Sequence, residues 1–191
     1  MGQCNQEAVE LFKNKAKLAS IEIAEVKNLA EAIDRAADIC AAVDASASSA
    51  EKVMAAPALT GVELAAMEEA CAKRKLEFIQ KGLRSRLAGI EAAFTLAQGG
   101  IAETATSILP SLSEELRLAT MICETHIVAL PKSKVLMDSY EFEEQMRGYL
   151  KEEAMYAAFI SGPSRTADIE RVLTIGVHGP VAMHVLLMDE E

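Results

Sequence analysis

Segments with helical periodicity alternate with short β-rich runs along this sequence. Apolar residues recur at helical spacing over residues 9–19 and again over residues 29–43. Between them, residues 21–26 form a short run rich in β-branched side chains, which gives helix, strand and helix in order. This alternation predicts an α/β fold in which helices flank a mostly parallel sheet.

A glycine-rich stretch interrupts the alternation near the middle of the chain. Ala, Thr and Gly dominate residues 87–109, where a Gly-Gly pair separates two short apolar segments. This pattern favours short strands, so we expect an antiparallel hairpin region inserted into the sheet. Upstream, Thr60 and Glu63 have the spacing of a capping box, which predicts a helix through Cys71. No break in composition marks a linker, and residues 1–191 are expected to form one domain.

The last third of the chain supplies the remaining elements. An apolar run at residues 121–130 ends at Pro131, and Asp138-Ser139 is expected to cap a helix with one apolar face. Four further segments are predicted: a strand at 135–137, a strand at 157–161, a helical turn at 166–173 and a terminal strand at 181–188.

Polar side chains cluster at two turns near the end of the chain. Residues 161–170 follow an apolar run and open with Ser-Gly-Pro, which ends a strand ladder because proline has no N–H. Residues 176–180 form a Gly-x-x-Gly-Pro turn that carries His178. Open α/β sheets usually bind ligands where strands end, so these two turns, named here the C-terminal corner, are the predicted ligand site.

Arg165 is the residue on which an anion site in the corner would depend. Its planar guanidinium suits a carboxylate or a phosphate, and the N–H groups of a helix starting at Thr166 would add to the same site. The alternative is an ion pair between Arg165 and Asp168 or Glu170, and both interpretations stay open. His178 could act as an acid, a base or a hydrogen-bond donor, or could bond local carbonyls as a structural turn residue.

Composition excludes several functional classes. A formal net charge of -10 opposes the binding of nucleic-acid phosphates. The four cysteines are widely spaced and the three histidines lack metal-ligand spacing, so we expect no metal and no iron–sulfur cluster. Cys40 and Cys71 are predicted to be core residues in a reducing compartment. His126 is expected to be a structural core residue, and His184 to be structural or at the surface.

The same inventory bears on cofactors and location. The sequence shows no recognisable motif for a nicotinamide, a flavin or a phosphate loop, so no cofactor is expected. No signal peptide is expected, because the first residues lack the basic, apolar and small-residue pattern, and no apolar run approaches the ~20 residues that cross a bilayer. These features predict a cytoplasmic protein that does not bind membranes.

Three segments together resemble a known family. They are Ser161-Gly162-Pro163-Ser164-Arg165-Thr166-Ala167-Asp168-Ile169-Glu170, Gly176-Val177-His178-Gly179-Pro180 and Ile101-Ala102-Glu103-Thr104-Ala105-Thr106. They are similar to the signature of the LUD domain, the lactate-utilisation protein C family, over residues 87–188. The resemblance implies a fold like that of the sugar-phosphate isomerase and CoA-transferase superfamily (NagB/RpiA/CoA-transferase-like). It also implies a role in oxidising L-lactate to pyruvate alongside iron–sulfur partner proteins.

The resemblance and the polar residues together suggest how a ligand would be held. We expect a small carboxylate or other anionic ligand, with Glu103 or His178 placed for proton transfer. Glu103 follows the glycine-rich segment, and its alternative is an ordinary turn carboxylate. Ala105 stands where the family usually has glycine, which would hinder the approach of a ligand to the backbone. The residues expected to bind the ligand are Thr104, Ser164, Arg165, Thr166 and Asp168.

Oxidation of a 2-hydroxy acid needs an electron acceptor, for which this chain shows no recognisable site. The leading hypothesis is therefore a ligand-binding component whose iron–sulfur partners take the electrons. One alternative is a non-catalytic assembly or regulatory subunit that docks onto the same partners. Another is an independent acyl-CoA or sugar-phosphate enzyme with Glu103 as nucleophile or base. Whether the chain forms a homo-oligomer is left open.

Overall fold

Helices and strands alternate along the first half of the structure, as the sequence predicts. The computed structural model describes residues 3–44, 51–86, 88–111, 113–149, 151, 156–167 and 174–190. Helices in these ranges are α1 (Gln3–Leu18), α2 (Leu29–Ala42), α3 (Gly61–Lys73), α4 (Glu114–Ile122) and α5 (Glu143–Tyr149). Strands are β1 (Ile21–Val26), β2 (Val53–Ala55), β3 (Glu77–Ile79), β4 (Ala92–Leu96), β5 (Gly99–Ile101), β6 (Thr106–Pro110), β7 (Thr125–Pro131), β8 (Val135–Leu136), β9 (Ala157–Ile160), β10 (Arg165–Thr166), β11 (Thr174–Ile175) and β12 (Ala182–Met188).

The apolar stripes of the first two helices are buried, as predicted. In α1 the side chains of Phe12 and Ala16 are fully buried, and in α2 those of Ile33 and Cys40 are at most 2% exposed. The Asn28 side chain caps α2 by accepting a hydrogen bond from the Glu31 N–H at 3.1 Å. Local sequence therefore decides both where these helices begin and which face they bury.

Six parallel strands form the central sheet in the order β1-β12-β7-β4-β2-β3. Helices α2 and α3 cover one face, where Ile33 and Met67 pack with Phe94 and Ile127. The other face is covered by α1 and α4. Because both faces are buried, β7 reads as a nearly continuous apolar run, as is typical of a parallel strand. The prediction of a mostly parallel sheet flanked by helices is confirmed.

The predicted hairpin lies in a second sheet with the order β8-β5-β6-β9. Strands β5 and β6 are antiparallel, and β6 pairs with β9 across Ser107 and Ile160. A Cβ on Gly100 would lie 2.8 Å from Leu130 Cδ2, so glycine allows β5 to pack closely on the central sheet. The hairpin is thus built into the core, and it places β9 directly before the C-terminal corner.

Four local predictions differ from the structure. Asp138-Ser139 does not cap a helix directly, because α5 begins at Glu143 and Asp138 accepts hydrogen bonds from the Tyr140 and Glu141 N–H groups in the preceding turn. Thr60 precedes α3 but makes no side-chain capping bond, although the helix begins at the next residue. The apolar run at 121–130 is not one element: residues 121–122 end α4 and residues 125–130 belong to β7. Helix α4 begins after Ser113, whose hydroxyl oxygen accepts a hydrogen bond from the Leu116 N–H. Thr166 lies in β10, which pairs with β11, so it does not start a helix. The remainder of that predicted helical turn, residues 168–173, lies outside the described ranges.

Candidate functional site

Ser164 joins the two turns of the C-terminal corner. Its N–H donates to the Pro180 carbonyl at 2.9 Å, and its own carbonyl accepts from the Gly176 N–H at 2.9 Å. Its hydroxyl oxygen accepts a further bond from the His178 N–H at 3.3 Å. These three hydrogen bonds of Ser164 hold the turn that carries Arg165 against the turn that carries His178. The pairing of β10 with β11 joins the same two stretches of chain.

The corner lies at the amino ends of strands in the central sheet. The Val181 N–H, just before β12, donates to the Glu124 carbonyl just before β7 at 2.9 Å. The corner also follows the carboxyl end of β9 in the second sheet. The sequence predicts a site at the end of a sheet, and the strand end that leads into the corner is β9. Ligands of open parallel sheets usually bind at the carboxyl ends of the strands. The corner lies instead at the amino ends of β7 and β12 and follows an antiparallel strand, so it departs from that rule.

The end of α1 forms a wall against the corner. Gly162 has a φ of +109°, and a Cβ at this position would lie 2.6 Å from the Ala19 carbonyl oxygen. Nη2 of Arg165 donates a hydrogen bond to Oγ of Ser20, which has a φ of 57°. Ser20 was not predicted from the sequence. The one signal that could have indicated it is its position, as a polar residue directly after the apolar stripe of the first helix.

An open groove of about 470 Å³ lies beside the corner. Ser164, Arg165 and His178 contribute to its lining, as does Arg117 from α4. The guanidinium carbon of Arg117 lies 5.7 Å from the centre of the Tyr156 ring, within the range of a cation–π contact. Among the described residues that line the groove there are two arginines, one histidine and no carboxylate. On a chain with a net charge of -10, this local excess of positive charge favours an anionic ligand.

Glu103 and Thr104 lie in a 3-10 turn between β5 and β6, outside the described lining of the groove. The Glu103 carboxylate is exposed and accepts a hydrogen bond from the Ser139 N–H at 2.9 Å. Thr104 connects to the corner through hydroxyl groups: its Oγ1 is 2.7 Å from Thr106 Oγ1, which is 2.6 Å from Ser161 Oγ. The structure therefore links Thr104 to the corner and leaves Glu103 beside the β8 segment.

Ala105 ends this 3-10 turn in the left-handed region, with a φ of 51°, and its side chain is fully buried. Glycine adopts this conformation at no steric cost, whereas alanine is strained by roughly 1–2 kcal/mol. The left-handed backbone is therefore one reason for glycine at this position in the family, and it does not depend on a ligand approaching the backbone.

Of the remaining predicted binding residues, Thr166 lies in the described part of the chain. Thr166 is half-buried in β10, and its backbone belongs to a strand pair instead of a helix terminus. Asp168 lies outside the described residues, as does Glu170, the other carboxylate proposed to pair with Arg165.

His126, Cys40 and Cys71 are buried, as predicted. His126 is 1% exposed, a 2.8 Å hydrogen bond joins its Nε2 to Thr95 Oγ1, and burial lowers its pKa to about 4. His184 pairs with β1, 3.5 Å from a carboxylate oxygen of Glu22. Burial raises the pKa of the Cys40 thiol to about 12, so this thiol stays protonated. Over the ranges that the structure describes, no group of three or more potential ligands is placed to hold a metal ion.

Each helix in the described part of the chain is too short or too polar to cross a bilayer.

Comparisons with known proteins identify relatives of the chain. A family model described as the LUD domain matches residues 9–188. Lactate utilization protein C of an Exiguobacterium species is 34% identical over 100 residues, which cover 50% of this chain and 43% of the relative. The protein with the same name in Bacillus subtilis is 31% identical over 99 residues, covering 50% of this chain and 41% of the relative. The chain thus matches less than half the length of these relatives.

Among solved structures, the fold is similar to that of a DUF162 family protein from Deinococcus radiodurans. The TM-score is 0.70, and the match covers 98% of this chain and 99% of that protein at 18% sequence identity. At this level of identity the likeness shows that the two chains share a fold.

Proposed function

The chain belongs to the LUD domain family, and on that premise we propose that it is a component of an L-lactate utilisation system. In this proposal it binds a small carboxylate, L-lactate or its oxidation product pyruvate, in the groove beside the C-terminal corner. The family match and the relatives named lactate utilization protein C support the pathway. The observation that carries the binding site is the pair of arginines in a groove whose described lining has no carboxylate.

Arg165 is the residue proposed to bind the carboxylate. A guanidinium has five N–H donors, and the bond to Ser20 uses one of them while fixing the side chain at the mouth of the groove. The planar fork matches a carboxylate in a bidentate arrangement, which is among the stronger hydrogen-bonding geometries. The Ser164 hydroxyl accepts from His178 N–H and can donate its own proton to the same ligand. Thr166 and Asp168 remain proposed ligand contacts on the strength of the family signature.

His178 is the proposed group for proton transfer. Its side chain is exposed and lines the groove with Arg165, and an imidazole has one nitrogen that can donate a proton and one that can accept it. Glu103 stays the second candidate, although its carboxylate bonds the Ser139 N–H outside the groove. Oxidation of L-lactate to pyruvate also removes two electrons, and we assign their acceptance to iron–sulfur partner proteins of the same system.

A binding experiment tests the site directly. Titration calorimetry with L-lactate and with pyruvate should show binding that Arg165→Gln weakens by about tenfold or more, because a charge-assisted bond contributes ~1.5–3 kcal/mol. Arg147→Gln is the matched control, since Arg147 is exposed, pairs with Glu143 and lies outside the groove. Equal affinities for the wild type and Arg165→Gln would refute the assignment of the carboxylate to Arg165.

Reconstitution tests the pathway. Combined with the iron–sulfur partners, the wild-type chain should support lactate-dependent reduction of an electron acceptor, and His178→Asn should lower the rate more than it lowers affinity. A chain that leaves the rate of the partners unchanged at every ratio would contradict the proposed role.

A second candidate function is that of a non-catalytic assembly subunit. Exposed large apolar side chains favour it: Met121, Tyr156 and Phe159 line the groove, and Ile175, Val177 and Val181 lie on the corner. Apolar patches of this kind often mark interfaces between proteins. Under this reading the chain co-purifies with the iron–sulfur partners, and neither L-lactate nor pyruvate binds it. The calorimetric titration therefore separates the two candidates.

A further inference from the structure

The groove follows strand β9 along its whole length. Five consecutive residues, from Tyr156 to Ile160, contribute to its lining. An extended chain rises ~3.3 Å per residue, so these residues span about 13 Å. The groove is therefore long in one direction, with distinct ends.

Each end of this groove carries a guanidinium. Arg117 lies over the ring of Tyr156, at the start of the strand, and is half-buried. Arg165 lies beyond Gly162, past the other end, where Ser20 holds it. Between the two ends the lining includes the apolar residues Met121 and Phe159. The arrangement is thus a partly apolar channel with a positive group at each end.

A three-carbon acid fills only part of this space. Its six heavy atoms occupy about the volume of three or four water molecules, ~100 Å³ at ~30 Å³ each. The groove has about 470 Å³. A ligand held at Arg165 that reaches the opposite end must therefore be several times longer than lactate.

We propose that the groove binds an elongated dianion, with one anionic group at Arg165, a second at Arg117 and an apolar chain between them. This inference rests on the proposed function, because it keeps the carboxylate at Arg165. It adds Arg117 as a binding residue and a class of ligand: a carboxylate whose extended chain ends in a second carboxylate or in a phosphate. The half-buried position of Arg117 strengthens its attraction for an anion, since solvent screens it less.

Probes of equal length test the second anionic group. Suberate and octanoate are both eight-carbon chains, and only suberate is charged at both ends. Titration calorimetry with the wild-type chain should show suberate binding about tenfold or more tightly than octanoate. Arg117→Gln should remove this preference and leave octanoate and pyruvate unaffected, whereas Arg165→Gln should weaken all three. A chain of the same length ending in a phosphonate, 7-phosphonoheptanoate, shows which second anion is preferred.

Two controls protect the interpretation. Arg117→Lys keeps the charge and should keep most of the preference for suberate. Arg84→Gln, which removes an exposed guanidinium paired with Glu114 outside the groove, should behave as the wild type. Thermal unfolding of each variant shows whether loss of the contact with Tyr156 has altered the fold.

The outcomes separate this inference from the proposed function. Equal binding of suberate and octanoate, or a preference that survives Arg117→Gln, overturns the dianion and leaves an Arg165-dependent site for pyruvate intact. Suberate binding that needs both arginines, with no detectable binding of pyruvate or lactate, supports the dianion and overturns the three-carbon ligand. If none of the probes binds, both the dianion and the three-carbon ligand are overturned.

Discussion

Replacing Gly162 by alanine is expected to destabilise the protein strongly and to disrupt the groove. The glycine has a φ of +109°, a region that residues with a Cβ rarely adopt, and the new Cβ would lie 2.6 Å from the Ala19 carbonyl oxygen. The backbone fixes the positions of both atoms in this contact, so the rotation of a side chain cannot relieve it. The corner must therefore move away from α1, and Arg165 with it.

The magnitude follows from the two costs. A residue held in a sparsely populated region of φ and ψ costs ~1–3 kcal/mol, and moving two packed segments apart adds to that cost. We expect a loss of about 3 kcal/mol in the free energy of unfolding. For a chain of this size each kcal/mol shifts the melting temperature by ~2–4 °C, so the midpoint should fall by about 6–12 °C.

Denaturant and thermal unfolding measure the effect, with Gly148→Ala as the control. A Cβ at Gly148 in α5 meets no atom within 4 Å, so alanine there should stabilise the helix by up to about 1 kcal/mol. If Gly162→Ala unfolded within about 0.5 kcal/mol of the wild type, the close contact between the corner and α1 would be wrong. The contact of Arg165 with Ser20, and the wall it gives to the groove, would then be wrong as well.

Two further predictions concern buried polar side chains. Burial lowers the pKa of His126 to about 4 from 6.5. The unfolded state therefore binds more protons between these values, and up to about 3 kcal/mol of stability is lost as the pH falls through this window. Urea titrations measure the free energy of unfolding at pH 7 and at pH 4.5. In His126→Leu this free energy should fall less between the two pH values than in the wild type, and an equal fall would contradict the prediction. Thr106→Val breaks the chain of hydroxyl groups from Thr104 to Ser161 and should lower the free energy of unfolding by about 1 kcal/mol, whereas Thr106→Ser should lower it by less. Equal urea midpoints for the wild type and Thr106→Val would refute these hydrogen bonds.

Local patterns were enough to predict most of the fold. The spacing of Phe12, Ala16, Ile33 and Cys40 predicts which faces of α1 and α2 are buried, because helical periodicity is set by neighbours within a few residues. Alternation of such segments with β-rich runs indicates a parallel sheet. Glycine at position 100 marks the hairpin, where the second sheet packs on the first.

Where several segments compete, the local pattern fails. Thr60 has the spacing of a capping box and makes no capping bond. Thr166 is followed by residues that suit the start of a helix, yet it pairs with Thr174 across β10 and β11. Hydrogen bonds from the Ser164 N–H to the Pro180 carbonyl and from the Gly176 N–H to the Ser164 carbonyl join these two stretches of chain. Such long-range pairing overrides the local preference.

By itself the sequence determined that an α/β protein ends in a polar corner containing Ser164, Arg165 and His178, because those residues lie within one short stretch. Only the tertiary structure decided what faces them. Neither Ser20 after α1 nor Arg117 on α4 was predicted from the sequence. Strand pairing and helix packing bring Ser20 to Arg165 and Arg117 to the groove from distant parts of the chain. Binding sites depend on distances in space, whereas periodicity and motifs report only distances along the chain.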